Sequence, residues 1–167
     1  MNDVDILKKI EKKVLWLACW MIHNANHIRE NQDGLKVGGH QASSASIVSI
    51  MTALYFSILR PEDRVAVKPH ASPVFHAIQY LSGLQTKEKI QNFRGFGGAQ
   101  SYPSRTKDID DVDISTGSVG LGVAMTSFIS LIQDYVARKK FYKNKPLGRM
   151  IALVCLLYTS DAADDTR

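Results

Sequence analysis

Cysteine is close to absent from this chain. Cys19 and Cys155 are two residues at opposite ends of 167. That is too few and too far apart for a disulfide framework or a zinc knuckle, and it points to a reducing, cytoplasmic setting. Long apolar runs are missing as well. None exceeds the nine residues of Val14 to Ile22, where a bilayer span needs about twenty, so no membrane crossing is expected. The start, Met1-Asn2-Asp3-Val4-Asp5, lacks the basic region and cleavage site of a signal peptide. No G-x-S-x-G elbow, H-E-x-x-H helix or C-x-x-C pair occurs, which removes the main support for hydrolase and zinc chemistry. Internal repeats and low-complexity tracts are absent too.

What is there is an ordinary globular composition. Apolar residues make up 45% and charged residues 22%, enough to build one core and too apolar for disorder. The net charge is +5, and much of the excess lies in Arg138, Lys139, Lys140, Lys143, Lys145 and Arg149. No RNA-binding signature surrounds these residues, so a solvated helix end and loop explain them and no nucleic-acid partner is expected.

Periodicity gives the elements. Leu7, Ile10, Val14, Leu17 and Met21 predict an amphipathic helix from about Asp3 to Asn31, closed near Gly34. Ser43 and Ser44 are candidate N-caps for an apolar helix ending at Arg60-Pro61. Val65-Ala66-Val67 reads as a short buried strand. Ser72 and Pro73 then open a helix that closes at Gly83. A short helix capped by Thr86 follows, and Arg94 to Asp113 has no period, a length of loop that usually carries function. The glycines of Gly117, Gly120 and Gly122 lead into a helix ending near Arg138, and Met150 to Val154 is a second strand. Strands separated by helices predict an α/β layered fold with a mostly parallel sheet.

Several residues could carry chemistry. The G-x-x-G-x-G turn departs from the dinucleotide fingerprint, and it suits either an anionic ligand at a helix start or close helix packing. His40 follows two glycines and His70 lies among prolines, so both are loop histidines suited to proton transfer or phosphate contact. His23 and His27 stand four apart on the first helix without a third ligand in view, and packing is the simpler account. His76 reads as a packed helical residue. Asp108, Asp110, Asp111 and Asp113 lack the Gly and Glu of a calcium loop and read as a solvated acidic loop.

Gly39-His40, Ser43-Ser44-Ala45-Ser46, His70-Ala71-Ser72-Pro73, Asn92-Phe93-Arg94, Ser101-Tyr102-Pro103 and Ser115-Thr116-Gly117 occur in an order that resembles the N-terminal cofactor domain of the transketolase superfamily of thiamine diphosphate enzymes. The resemblance covers about residues 10 to 154, and within the superfamily the homodimeric pyruvate-decarboxylating component is the nearer match. It implies the N-terminal part of a thiamine diphosphate-binding fold over residues 1–154. It also implies cleavage of a carbon–carbon bond beside a carbonyl, by pyruvate decarboxylation with acetyl transfer or by ketol transfer between sugar phosphates. By motif, His40 is expected near the reacting carbon and His70 against the cofactor diphosphate. Tyr102 stands where transketolases carry histidine, and Gly117 and Val119 match the turn that reaches the aminopyrimidine. A Gly-Asp-x-Glu motif for Mg²⁺ is expected after Val154 in the full-length parent, but Cys155 to Arg167 holds none. That tail reads as non-native or disordered, and the chain alone is expected to be inactive. A module that keeps the fold without the metal site is the competing reading.

Overall fold

The computed structural model describes residues 3–30, 34, 36–117, 120–141 and 146–154. Helix α1 spans Asp3–His23, and a π-helical turn over Asn24–Ile28 continues it. Its apolar stripe buries Val14, Ala18 and Met21 completely while the lysines stay in water. The helix stops when Arg29 turns extended, so Gly34, although at φ 66°, is not its cap.

Helix α2 is Gln41–Ala53, again with a π turn, Leu54–Ile58. Its N-cap is His40, and Ser43 and Ser44 lie inside the first turn instead of capping it. Gln41–Ile58 has a mean hydropathy of 1.2, just enough by length and composition for a bilayer span. Yet Ile47, Val48 and Met51 are buried in the protein core, and Ser43, Ser44, Ser46, Ser49, Thr52 and Ser57 interrupt the rest. Core helices of water-exposed domains show the same pattern.

Strand β1, Arg64–Ala66, pairs in parallel with β2, Met150–Ala152, in the register Val65 opposite Ile151. An isolated bridge joins Ala66 to Ile114. Alternation along β1 faces Val65 and Val67 into the helical core and Ala66 toward Gly122 of helix α5, Leu121–Arg138. The pair thus lies between α5 and the cluster of α1, α2 and α3 (Ser72–Leu81), a mixed arrangement compatible with the α/β expectation.

Helix α3, Ser72–Leu81, follows a 3₁₀ turn at Pro69–Ala71, so its N-cap is Ala71, not Ser72. It ends in a Schellman closure. Leu84 N–H donates to Gln79 at 2.8 Å and Gly83 N–H to Tyr80 at 3.1 Å, with Gly83 at φ 79°. Helix α4, Lys87–Gln91, is capped by Thr86 as expected.

A buried clasp fixes the strand register. The side chain of Asp63, ahead of β1, accepts from Arg60 N at 3.0 Å and Arg149 N at 2.7 Å. It also accepts from Arg149 Nε at 3.0 Å and Arg60 Nη2 at 3.1 Å. The Arg149 guanidinium holds the Asp63 carboxyl well below the usual carboxylate range.

Candidate functional site

Two glycines shape one wall of the cavity that gathers the loop histidines. Gly38 and Gly39 take φ of 83° and 108°, values that side chains other than glycine rarely adopt. Asn26 clamps this turn from α1's π segment, donating to the Gly38 carbonyl at 3.0 Å and accepting its N–H at 2.9 Å. Immediately afterwards His40 begins α2. Ser44, one turn on, donates its hydroxyl to the carbonyl of His70 at 3.1 Å and so ties α2 to the 3₁₀ turn. The two imidazoles come within 5.9 Å, centroid to centroid.

The third wall is the 92–102 loop. Arg29 donates to Asn92 Oδ1 at 3.1 Å and to the Phe93 carbonyl at 2.8 Å, and Asn92 spans the turn by donating to Phe96. Phe93 is buried against the His76 ring. Arg94 takes φ 61°, a conformation that costs a non-glycine residue free energy and often marks a working position. Its guanidinium donates to Val37 at 2.8 Å.

The result is a cavity of about 280 Å³ lined by Gly38, Gly39, His40, Ser44, Lys68, Pro69, His70, Pro73, Phe93, Arg94 and Tyr102. His40, His70 and Tyr102, separated by up to 62 residues, meet there. Lys68 and Arg94 meet them, and sequence reasoning missed both as site residues. The signal available for Lys68 was a lysine placed directly after a buried strand. Among the described residues no aspartate or glutamate lines the cavity.

Gly117 is not in this lining, and Val119 lies outside the described residues. The 115–117 segment is nevertheless held next to the cavity wall, because Thr116 Oγ1 donates to Val67 at 2.7 Å, one residue before Lys68. Gly120 caps α5 at φ 78°, and Gly122 packs against Ala66 with a Cβ position 3.5 Å away. Close packing accounts for that last glycine.

His76 is buried, as expected, but polar bonds hold it. Nε2 donates to the Gln100 carbonyl at 2.7 Å, and Nδ1 hydrogen-bonds Asp110 Oδ2 at 2.6 Å. Asp110 is therefore a buried partner and not part of a solvated loop. Asp108 completes a cluster with donor atoms within 4.8 Å of one another. Its two oxygens already accept the N–H groups of Gln100 and Ser104, so these bonds make the cluster a brace for the long loop. His23 and His27 are exposed with rings 5.0 Å apart, and no acidic side chain or cysteine joins them among the described residues.

Known proteins were compared with the chain. It is 30% identical over 132 residues to the pyruvate dehydrogenase E1 component of Mycobacterium tuberculosis, a match covering 72% of this chain and 14% of the relative. The chain is similar to pyruvate dehydrogenase E1 components. That of Pseudomonas aeruginosa is 29% identical over 84% of this chain and 16% of its own length. That of Escherichia coli is 27% identical over 72% and 14%. The chain thus spans about one seventh of the length of the E1 components it matches. No family model matches it.

Proposed function

We propose that the cavity is the cofactor and substrate site of a thiamine diphosphate-dependent pyruvate dehydrogenase E1 component, of which this chain carries the N-terminal part of the cofactor domain, residues 1–154. The observation that carries the reading is the meeting of His40, His70 and Tyr102 in one cavity. The resemblance alone had assigned these residues to one site. The name of the relatives favours pyruvate over sugar phosphates as substrate.

The cavity's chemistry suits an anionic group. Among the described residues two cationic side chains and two imidazoles line it, with no carboxylate to repel a diphosphate. His70, on a turn fixed by Ser44, would hold the diphosphate, and Tyr102 would close the outer side. Gly117 and Val119 would approach the aminopyrimidine. Thiamine diphosphate, when bound, supplies the carbanion chemistry, and the protein supplies orientation and electrostatics. His40, at the N-cap of α2 and 5.9 Å from the His70 ring, would donate a hydrogen bond where negative charge develops on the substrate. Mg²⁺ would need oxygen ligands, and none of the described lining residues is acidic. The parent's metal site and its homodimeric partner would supply what this chain lacks.

Calorimetric titration of the purified chain with thiamine diphosphate tests the reading. Binding at about millimolar concentrations is expected, weakened by His70→Ala and little changed by His40→Ala, with no pyruvate decarboxylation by the chain alone. A folded chain that binds no thiamine diphosphate overturns it.

A further inference from the structure

Of the two charged side chains that line the cavity, Lys68 belongs to none of the motifs that carry the resemblance. Lys68 ends the extended segment after β1 and caps the 3₁₀ turn that carries His70, with φ −67° and ψ 146°. It lines the cavity and is only 5% exposed. Its carbonyl accepts from Ala71 at 2.9 Å, but among the described residues no hydrogen bond or ion pair reaches its ammonium. A second basic side chain of the lining, Arg94, adds charge of the same sign, and the described lining residues offer no carboxylate to offset it. Lysines are almost never this buried unless paired, and Lys68 Nζ is not among the fully enclosed polar atoms, so the ammonium keeps its one opening without a counter-charge beside it. The fold nonetheless fixes this one. Val67, its neighbour, is buried and bonded by Thr116, and Pro69, which follows it, is buried too.

We propose that Lys68 is an oxyanion receptor: its ammonium binds an anionic oxygen of the small molecule that occupies the cavity, and so determines the charge of the ligand accepted there. The inference deepens the reading of this cavity as a cofactor and substrate site and rests on it for the choice of anions. Those are a diphosphate, as in the cofactor, or the carboxylate of a 2-oxo acid. A lysine suits either, since it acts as a compact point charge and not as a planar fork.

The experiment uses the purified chain, with inorganic pyrophosphate and pyruvate as probes and thermal unfolding in chloride buffer as the first readout. Without probe, Lys68→Met is expected to melt above the wild type, because an uncompensated buried charge has gone. With probe, the wild type and Lys68→Arg gain stability and Lys68→Met does not, its affinity falling about tenfold or more. Dependence on pyrophosphate assigns the receptor to the cofactor's diphosphate, and dependence on pyruvate assigns it to the substrate carboxylate. Should Lys68→Met fail to fold, the wild type still decides, because a bound anion must shift the side-chain nitrogen resonance of Lys68. Equal responses in wild type and Lys68→Met, or no response of the wild type to either probe, overturn the proposal. Failure of thiamine diphosphate to bind, while pyrophosphate binds through Lys68, overturns the cofactor reading alone. Binding of both pyrophosphate and pyruvate untouched by Lys68→Met overturns the receptor alone.

Discussion

Helices α3 and α5 are both rich in apolar residues, and the protein treats them in opposite ways. Every residue from Ser72 to Gln79 of α3 is buried, packed among α1, α2 and the strands. On α5 only Gly122 and Thr126 are buried, while Phe128, Leu131, Ile132 and Tyr135 are each about 60% exposed. Hydrophobicity therefore does not set burial here. Neighbours do, and the α1–α3 unit supplies them on all sides of α3 whereas the strand pair covers a single edge of α5. The site lies wholly on the well-packed unit and its loops, which suits a cavity whose walls must hold position.

The largest expected effect tests that contrast at Phe75. Its ring is 1% exposed and edges Tyr55 at 6.0 Å and His76 at 5.5 Å. Phe75→Ala should destabilise the chain by about 3–5 kcal/mol, the usual range for deleting a buried aromatic ring. The midpoint of urea unfolding is the measurement. A shift under about 1 kcal/mol would mean that the α1–α3 unit is not the main source of stability.

Next in size is the joint between the two regions. Gly148 sits against the chain ahead of β1, where an added Cβ would fall 1.8 Å from the Glu62 carbonyl oxygen. Gly148→Ala must push β2 off β1, at about 1–3 kcal/mol. Hydrogen exchange should show lost protection at Leu153, whose N–H donates to Ala66 at 3.1 Å, with α3 unaffected.

The expected element order survives in the structure because local signals wrote it: period, Pro61 as a stop, Thr86 as a cap, Gly83 at a left-handed turn. Helix starts were less legible. Serines look like caps in any sequence, but His40 and Ala71 cap α2 and α3, since the glycine turn and the 3₁₀ turn settle where each helix begins. The site was half legible. His40, His70 and Tyr102 stood out by motif, Arg94 stood in a motif without a role, and Lys68 becomes notable only once packing buries it. The bonds of His76 to Asp110 and Gln100 likewise depend on a long-range contact that no local pattern announces.

A smaller effect separates the regions by pH. The Asp63 carboxyl is depressed by Arg149, so the native state holds its proton less tightly than the unfolded chain does. The clasp's contribution is then complete above the unfolded carboxylate value of about 3.9 and is lost as pH falls toward the lower native value. Asp63→Asn should flatten that acid limb of the stability curve. Asp113 is shifted the other way, upward by burial, so Asp113→Asn should leave the limb in place. Unfolding followed between pH 2 and pH 6, roughly the span of carboxylate titration, checks both.

The smallest effect is expected on α5 itself. Phe128 is 64% exposed, so truncating it removes little contact that folding creates. Phe128→Ala should change stability by no more than about 0.5 kcal/mol, the range of surface substitutions, against several kcal/mol for the same substitution at Phe75. The same change should nonetheless reduce binding of a hydrophobic dye, because Phe128, Leu131, Ile132 and Tyr135 form one exposed apolar stripe, and exposed patches of that kind bind apolar molecules. Phe128→Lys should reduce dye binding further while leaving the urea midpoint in place. The two readouts must separate for the contrast to hold. If Phe128→Ala lost stability in step with Phe75→Ala, the outer face of α5 would be covered in solution, and the comparison between the helices would fail at its root.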